Sequence, residues 1–246
     1  MKSEMEIWDG LIATDRYCIY MPEENVVIIS DLHLGYEGVL RMEGVAMPRY
    51  QEKVIIEKLE NIIEEYDPEK IIVNGDFKHN FGRNLRQEWQ EVGNVLNTLR
   101  RKREVILIRG NHDNFLKTIA SKFDVRMANK YDMGSIVFAH GHRDFEGDKK
   151  VIAHEHPSIK LRDKVGATIS LPCYLFSDEI IVMPAFSPLA SGTDVSSADA
   201  DDYLSPILKR HNVDKFRVLA ISDAGLLDFS TVGNMKKANC HRNSFR

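Results

Sequence analysis

Short Val- and Ile-rich runs in this chain break off directly into polar clusters, and that pattern constrains the fold most. The run 26–29 leads into Ser30-Asp31-Leu32-His33, the run 71–73 into Asn74-Gly75-Asp76, and the run 105–108 into Arg109-Gly110-Asn111-His112-Asp113. Further on, 136–138 leads through Ala139 into His140-Gly141-His142, and Val151-Ile152-Ala153 leads into His154-Glu155-His156. Apolar runs of this length, bounded by turn residues and rich in β-branched side chains, read as strands; 180–183 is another. Because they are continuous rather than alternating, they suit a sheet covered on both faces.

Between the first two runs, Ile55, Leu59, Ile62, Ile63 and Tyr66 recur at helical spacing, and Pro68 closes the segment. A second helix is expected before the third run, capped by Asn84, with Leu85, Trp89, Val92, Leu96 and Leu99 as its apolar stripe. Strand, helix, strand, helix, strand predicts an α/β fold with right-handed crossovers and a partly parallel sheet. The second half reads as richer in strands, and no repeat of fixed period appears. Residues 185–202, rich in Ser, Ala, Gly and Asp, read as a long loop entering a short helix, or as a surface arm. Residues 1–232 are expected to form a single domain, and 233–246, with Lys236, Lys237, Arg242 and Arg246 but no apolar periodicity, a frayed basic tail.

In open α/β sheets, ligands bind in the crevice beyond the carboxyl ends of the strands, so clusters far apart in sequence are expected to converge there. Asp31, His33, Asp76, Asn111, His140, His154 and His156 then form one constellation of carboxylate, imidazole and amide donors. Residues two apart on an extended segment share a side, so Asp31 with His33 can grip one ion, and His154 and His156 can face one cleft. A donor set without thiolate suits a first-row divalent cation such as Mn, Fe or Zn. Asp76, with two oxygens, is the natural bridge between a pair of ions roughly 3.5–4 Å apart.

Taken together, Asp-x-His, Gly-Asp, Gly-Asn-His-Asp, His-Gly and His-x-His, in this order over residues 31 to 156, resemble the calcineurin-like metallophosphoesterase superfamily. The context Asp31-Leu32-His33-Leu34-Gly35 is most similar to the SbcD-related phosphoesterases of archaea and their bacterial relatives. The resemblance implies a mixed-sheet β-sandwich flanked by helices, with a dinuclear metal site at the strand ends. It further implies that Asp31, His33, Asp76 and His156 hold one cation, and Asp76, Asn111, His140 and His154 the other. Two divalent metal ions are thus the expected cofactors, Mn first, with Zn, Fe or Ni as alternatives. His112 matches the histidine that meets substrate and protonates the leaving oxygen, and Asp113 is expected to orient its ring. Where the superfamily more often has Gly, this chain has Ala153, which tolerates positive φ less well.

The expected reaction is hydrolysis of a phosphodiester, with DNA or RNA as candidate substrates and hydroxide generated from water between the two cations as nucleophile. Alternatives are a phosphomonoesterase or nucleotide pyrophosphatase, and a scaffold that binds metal without turnover. His79, His142, Arg143 and Lys78 lie just past presumed ligands and are candidates for contact with substrate or with the ligands themselves. Arg83 and Arg86 are further candidates to ring the cleft, whereas Arg100, Arg101, Lys102 and Arg103 fall where cations offset a helix dipole.

A net charge of -4 offers no global positive field to nucleic acid, so such binding has to be local. Cys18, Cys173 and Cys240 are scattered without a CxxC spacing, which argues against a disulfide framework or a thiolate zinc site. No apolar run approaches the roughly 20 residues needed to span a bilayer, and the start of the chain lacks a signal-peptide pattern, so the expected location is cytoplasmic and off the membrane. The oligomeric state stays open, a dimer included.

Overall fold

A computed structural model describes residues 3–82, 86–101, 103–162 and 166–243. Arg83, Asn84, Leu85 and Lys102, to which the sequence reading gave roles, lie outside the described residues.

The first sheet runs in spatial order β1 (Glu4–Trp8), β2 (Leu11–Thr14), β3 (Ile19–Met21), β4 (Val26–Ile29), β5 (Lys70–Asn74), β6 (Glu104–Ile108), β7 (Arg126–Ala128). An antiparallel meander through β4 precedes the parallel set β4 to β7. The second sheet contains β8 (Lys130–Met133), β9 (Ile136–Ala139), β10 (Lys149–Ile152), β11 (Ser158–Arg162), β12 (Thr168–Phe176), β13 (Ile180–Val182), β14 (Arg217–Ser222) and β15 (Gly225–Thr231). Its order is β15-β14-β12-β13-β10-β9-β8, with β11 paired to β12; β9, β10 and β13 are parallel. Helices α1 (Tyr36–Met42) and α2 (Gln51–Tyr66) lie between β4 and β5, and α3 (Arg86–Leu99) lies between β5 and β6. Helices α4 (Leu116–Ala120) and α5 (Val232–Asn243) follow β6 and β15.

The continuous apolar runs are explained by burial on both faces. On β4, Val27 and Ile29 pack with Ile55 and Leu59 of α2 and Val92 and Leu96 of α3. Val26 and Ile28 point the other way, onto a core shared with Phe138, Val151, Ile181 and Leu219 of the second sheet. Each such side chain contributes about 1.5–3 kcal/mol by leaving water. The far face of the second sheet is covered by Val195, Tyr203, Leu208 and Val232, so helices cover one outer face and mostly irregular chain the other. Helix α2 stops at Asp67, whose left-handed backbone (φ 40°) closes it onto the Ile63 carbonyl just before Pro68.

One segment differs from the sequence reading. The stretch read as a frayed basic tail forms α5 through Asn243, with Val232 and Met235 buried beside Val213 and Phe216; these two apolar side chains are too few to register as a period. Residues 185–202 form the long loop entering a short helix that the sequence suggests, ending in the 3-10 turn Ala200–Asp202, and with Phe186, Val195 and Ala198 buried they are not the alternative surface arm. Among the described residues, no helix is long and apolar enough to cross a membrane.

Candidate metal centre

The polar clusters meet at the carboxyl ends of β4, β5, β6, β9 and β10, and main-chain hydrogen bonds lace their loops together. Asp31 N–H donates to the Gly75 carbonyl (3.1 Å), His33 N–H to Asp76 (2.9 Å), and Ala153 N–H to His140 (3.0 Å). The backbone there is not extended, as the two-residue spacing had suggested. Asp31 (φ 53°), His33 (47°), Asp76 (46°), His154 (68°) and His156 (46°) are all left-handed. Outside Gly this conformation is uncommon and costs about 1–3 kcal/mol per residue, and such strain gathers at functional sites. Ala153 is not among the positive-φ residues, so the missing Gly leaves the loop intact.

Two donor clusters result: Asp31, His33 and His156, and Asp76, His140 and His154. In the first, His33 Nε2 lies 3.2 Å from His156 Nε2, which is 3.3 Å from Asp31 Oδ1. In the second, His140 Nε2 lies 3.2 Å from Asp76 Oδ2 and 3.1 Å from Asn111 Oδ1. Asp76 Oδ2 is also 3.8 Å from His33 Nε2, which places it between the clusters. The opposite ring nitrogens are occupied: His140 Nδ1 by the Asn74 carbonyl and His156 Nδ1 by the Ser191 carbonyl, both at 3.1 Å. Donation from Nδ1 leaves the Nε2 lone pairs free for a cation.

The electrostatics fit that use. Burial opposes ionisation of Asp31 and Asp76, but the neighbouring histidines outweigh it and hold both carboxyls below the usual range. Burial pushes His33 down to about 3 and His154 to about 4, so both rings are unprotonated at neutral pH. His140 is raised to about 9, since Asp76 and Asp31 overcome its desolvation. Asp31 Oδ1 is buried without a hydrogen bond of sound geometry among the described residues. Ionised carboxylates, the unprotonated imidazoles of His33 and His154 and a buried carboxylate oxygen suit a divalent cation, which on binding would displace the proton that Asp76 favours on His140.

His112 lies beside the clusters, its Nε2 3.9 Å from Asp76 Oδ2 and its main-chain N–H donating to Asp76 Oδ1 at 2.8 Å. Asp113 does not orient the His112 ring. Its carboxylate accepts the Gly110 and Lys78 main-chain N–H groups at 2.8 and 3.3 Å, bracing the loop instead, while the ring is held by the His79 carbonyl. His79 is drawn into the cleft: it stacks between Tyr36 and His112 and forms a third donor cluster with His33 and His112. Lys78 is not at the rim. It is fully buried, bonded to the Asn80 carbonyl and paired with Glu88 of α3 at 3.8 Å, because the chain after Asp76 passes beneath that helix. His142 and Arg143 line a cavity that adjoins Asn111 and His140. Arg103 pairs with Asp67 at 3.0 Å, a structural use.

Other residues support the site without a sequence signal. Glu155, buried between two of the histidines, accepts the Leu204 and Ser205 N–H groups and the Thr193 hydroxyl, fastening the later loop against the centre. A Cβ on Gly192 would lie 1.5 Å from the His156 carbonyl oxygen, so only Gly fits there. Glu37 caps α2 by accepting the Tyr50 and Gln51 N–H groups, and the Gln51 amide reaches the His33 carbonyl at 2.9 Å. These partners lie 13 to 50 residues apart, and no spacing rule connects them.

Among solved structures, the chain is similar to a nuclease MPE of Pseudomonas putida, with 19% identity over 93% of this chain and 100% of that one, at a TM-score of 0.70. It is also matched by Yfce, a phosphoesterase from E. coli, at 13% identity over 85% of this chain and 94% of that one, with a TM-score of 0.40. The first likeness bears on the fold alone. No curated protein matches the chain. The calcineurin-like phosphoesterase family matches residues 24–220, which take in β4 to β13 and every residue of the two donor clusters; the chain belongs to that family and is a metal-dependent phosphoesterase.

Proposed function

We propose that the protein is a phosphodiesterase acting on nucleic acid or a nucleotide, with Asp31, His33, Asp76 and His156 holding one divalent cation and Asp76, Asn111, His140 and His154 a second. The observation that carries the reading is the position of Asp76 Oδ2, 3.2 Å from His140 Nε2 of one cluster and 3.8 Å from His33 Nε2 of the other. Mn is the favoured cation, because the donors are carboxylate, imidazole and amide, with Zn, Fe or Ni as alternatives. When bound, such a pair supplies Lewis acidity and lowers the pKa of a water placed between them. His112, held through Nδ1 by the His79 carbonyl, presents Nε2 to the leaving oxygen and donates a proton there. Asp113 keeps the loop that carries His112 against β5.

Nucleic acid is favoured as substrate by the motif resemblance to SbcD-related phosphoesterases and by the fold shared with a protein described as a nuclease. The test is hydrolysis of bis-p-nitrophenyl phosphate against p-nitrophenyl phosphate, by metal-stripped protein refilled with Mn, Zn, Ni or Mg. Preferential diester turnover supports the reading; monoester preference replaces it with a phosphatase, and metal binding without turnover of either ester replaces it with a scaffold.

A further inference from the structure

The cavity of about 310 Å³ beside Asn111 and His140 has no counterpart in what a bare phosphate needs. Its volume is in the range of small-molecule sites. Two aromatic rings, Phe81 and Phe145, contribute to its walls. Phe81 is 57% exposed and sets its ring edge-on to His112 at 5.7 Å, so it spans from the proton donor to the cavity. An aromatic side chain this exposed at a cleft is a surface for a ligand to cover. The cavity's charges are asymmetric. Asp144 is neutralised by Arg210, and Lys130 is paired with Asp132 at 3.2 Å. Arg109 and Arg143, by contrast, have no carboxylate partner among the described residues; Arg109 meets only the Asn114 amide oxygen, at 3.2 Å. His142, also on the wall, carries a buried Nδ1 with no hydrogen-bond partner.

Aromatic faces, amide groups and unpaired guanidinium groups, arranged beside a phosphate-hydrolysing centre, match the parts of a nucleotide: a planar base, its polar edge, and the next phosphate. Resting on the diesterase reading above, we propose that this cavity is a nucleoside subsite: it takes the base next to the scissile phosphate against Phe81 and Phe145, with Arg143 and Arg109 receiving the following phosphate. A base enters such a cavity only when it has left a helical stack, so the favoured substrate is a single strand or a frayed end rather than paired duplex.

The experiment compares thymidine 5′- and 3′-(p-nitrophenyl phosphate) with methyl p-nitrophenyl phosphate, using the full chain refilled with the most active cation. All three lose the same leaving group and differ only in the nucleoside. The expected result is that one thymidine ester exceeds the methyl ester in kcat/KM by at least about tenfold, and that Phe81→Ala brings the ratio toward one. A further phosphate on the nucleoside's other hydroxyl is expected to raise kcat/KM in the native protein but not in Arg143→Ala. A native ratio near one for both thymidine esters, or a ratio untouched by Phe81→Ala, overturns the subsite. If no ester is hydrolysed with any cation, the diesterase reading fails by itself. The cavity is then judged by NMR-detected binding of thymidine 3′,5′-bisphosphate to the metal-free protein: binding weakened by Arg143→Ala sustains the subsite, and absence of binding to the native protein overturns it.

Discussion

The Nδ1 of His112 lies 2.5 Å from the main-chain carbonyl oxygen of His79, and that contact, not a carboxylate, fixes which ring nitrogen faces the metal clusters. A main-chain acceptor cannot be removed by changing the His79 side chain. His112→Ala is expected to lower kcat by about 10²- to 10⁴-fold, the usual contribution of a positioned proton donor. His79→Ala, which keeps the carbonyl and loses the stacking and the Nδ1 contact with His33 at 3.2 Å, is expected to lose much less. Metal content measured by atomic emission should stay at the native ratio in His112→Ala; cation loss there would show that the ring serves as a ligand.

The buried pair of Lys78 and Glu88, 3.8 Å apart, holds the 78–80 loop from below, with Glu88 also accepting the Asn80 N–H at 2.7 Å. Burial moves both groups toward their neutral forms, Lys78 downward and Glu88 upward. Removing one partner leaves an uncompensated buried charge, so Lys78→Met is expected to lower stability by about 3–5 kcal/mol in urea unfolding. Lys78→Met with Glu88→Leu should recover much of that loss, although the loop would lose its acceptor. A single variant as stable as the native protein would contradict the pairing.

Gly110 sits where β6 meets the centre, and a Cβ there would approach Asp76 Oδ1 to 2.0 Å and the Asp76 nitrogen to 2.3 Å. Gly110→Ala must displace the carboxylate that lies between the two clusters. Metal retained after dialysis is expected to fall while the circular dichroism spectrum stays close to native. Full metal retention would mean that Asp76 does not bridge.

Lys58 of α2 is largely buried, its ammonium donating to the Phe186 carbonyl at 3.2 Å and lying over the Tyr17 ring at 3.9 Å. Burial depresses it to about 8, against 10.5 for an ordinary lysine. Between these values the unfolded chain binds more protons than the folded one, so this group's contribution to stability rises as pH climbs from about 8 toward 10.5. Below pH 8 the penalty for burying the charge is present in full. Unfolding of native protein and Lys58→Met at pH 7.5 and 10 should therefore show the difference shifting in favour of the native protein at the higher pH. No shift would place the ammonium in water, and a shift the other way would mean that the folded protein holds its proton more tightly than the unfolded chain does.

Much of this arrangement is legible in the chain. The runs 26–29, 71–73 and 105–108 fall within β4, β5 and β6, and the helix read from Ile55 to Tyr66 lies within α2. Less visible are β1 to β3 and β14 to β15, whose pairing depends on partners and edges rather than on a local period. Lys78 shows the limit at the site: two residues past Asp76, a cation reads as cleft-facing, yet the chain's path beneath α3 buries it against Glu88.

Local preference determined where strands end and which polar residues stand at those ends, because β-branched runs, helical stripes and Gly turns act over a few residues. It could not determine that five of those residues are left-handed, that Asp113 braces a loop while a carbonyl holds His112, or that Glu155 fastens the chain 50 residues further on. Those outcomes rest on burial and hydrogen-bond satisfaction among groups distant in sequence. Only when both sheets pack do a strained backbone and an orphaned carboxylate oxygen become cheaper than any alternative.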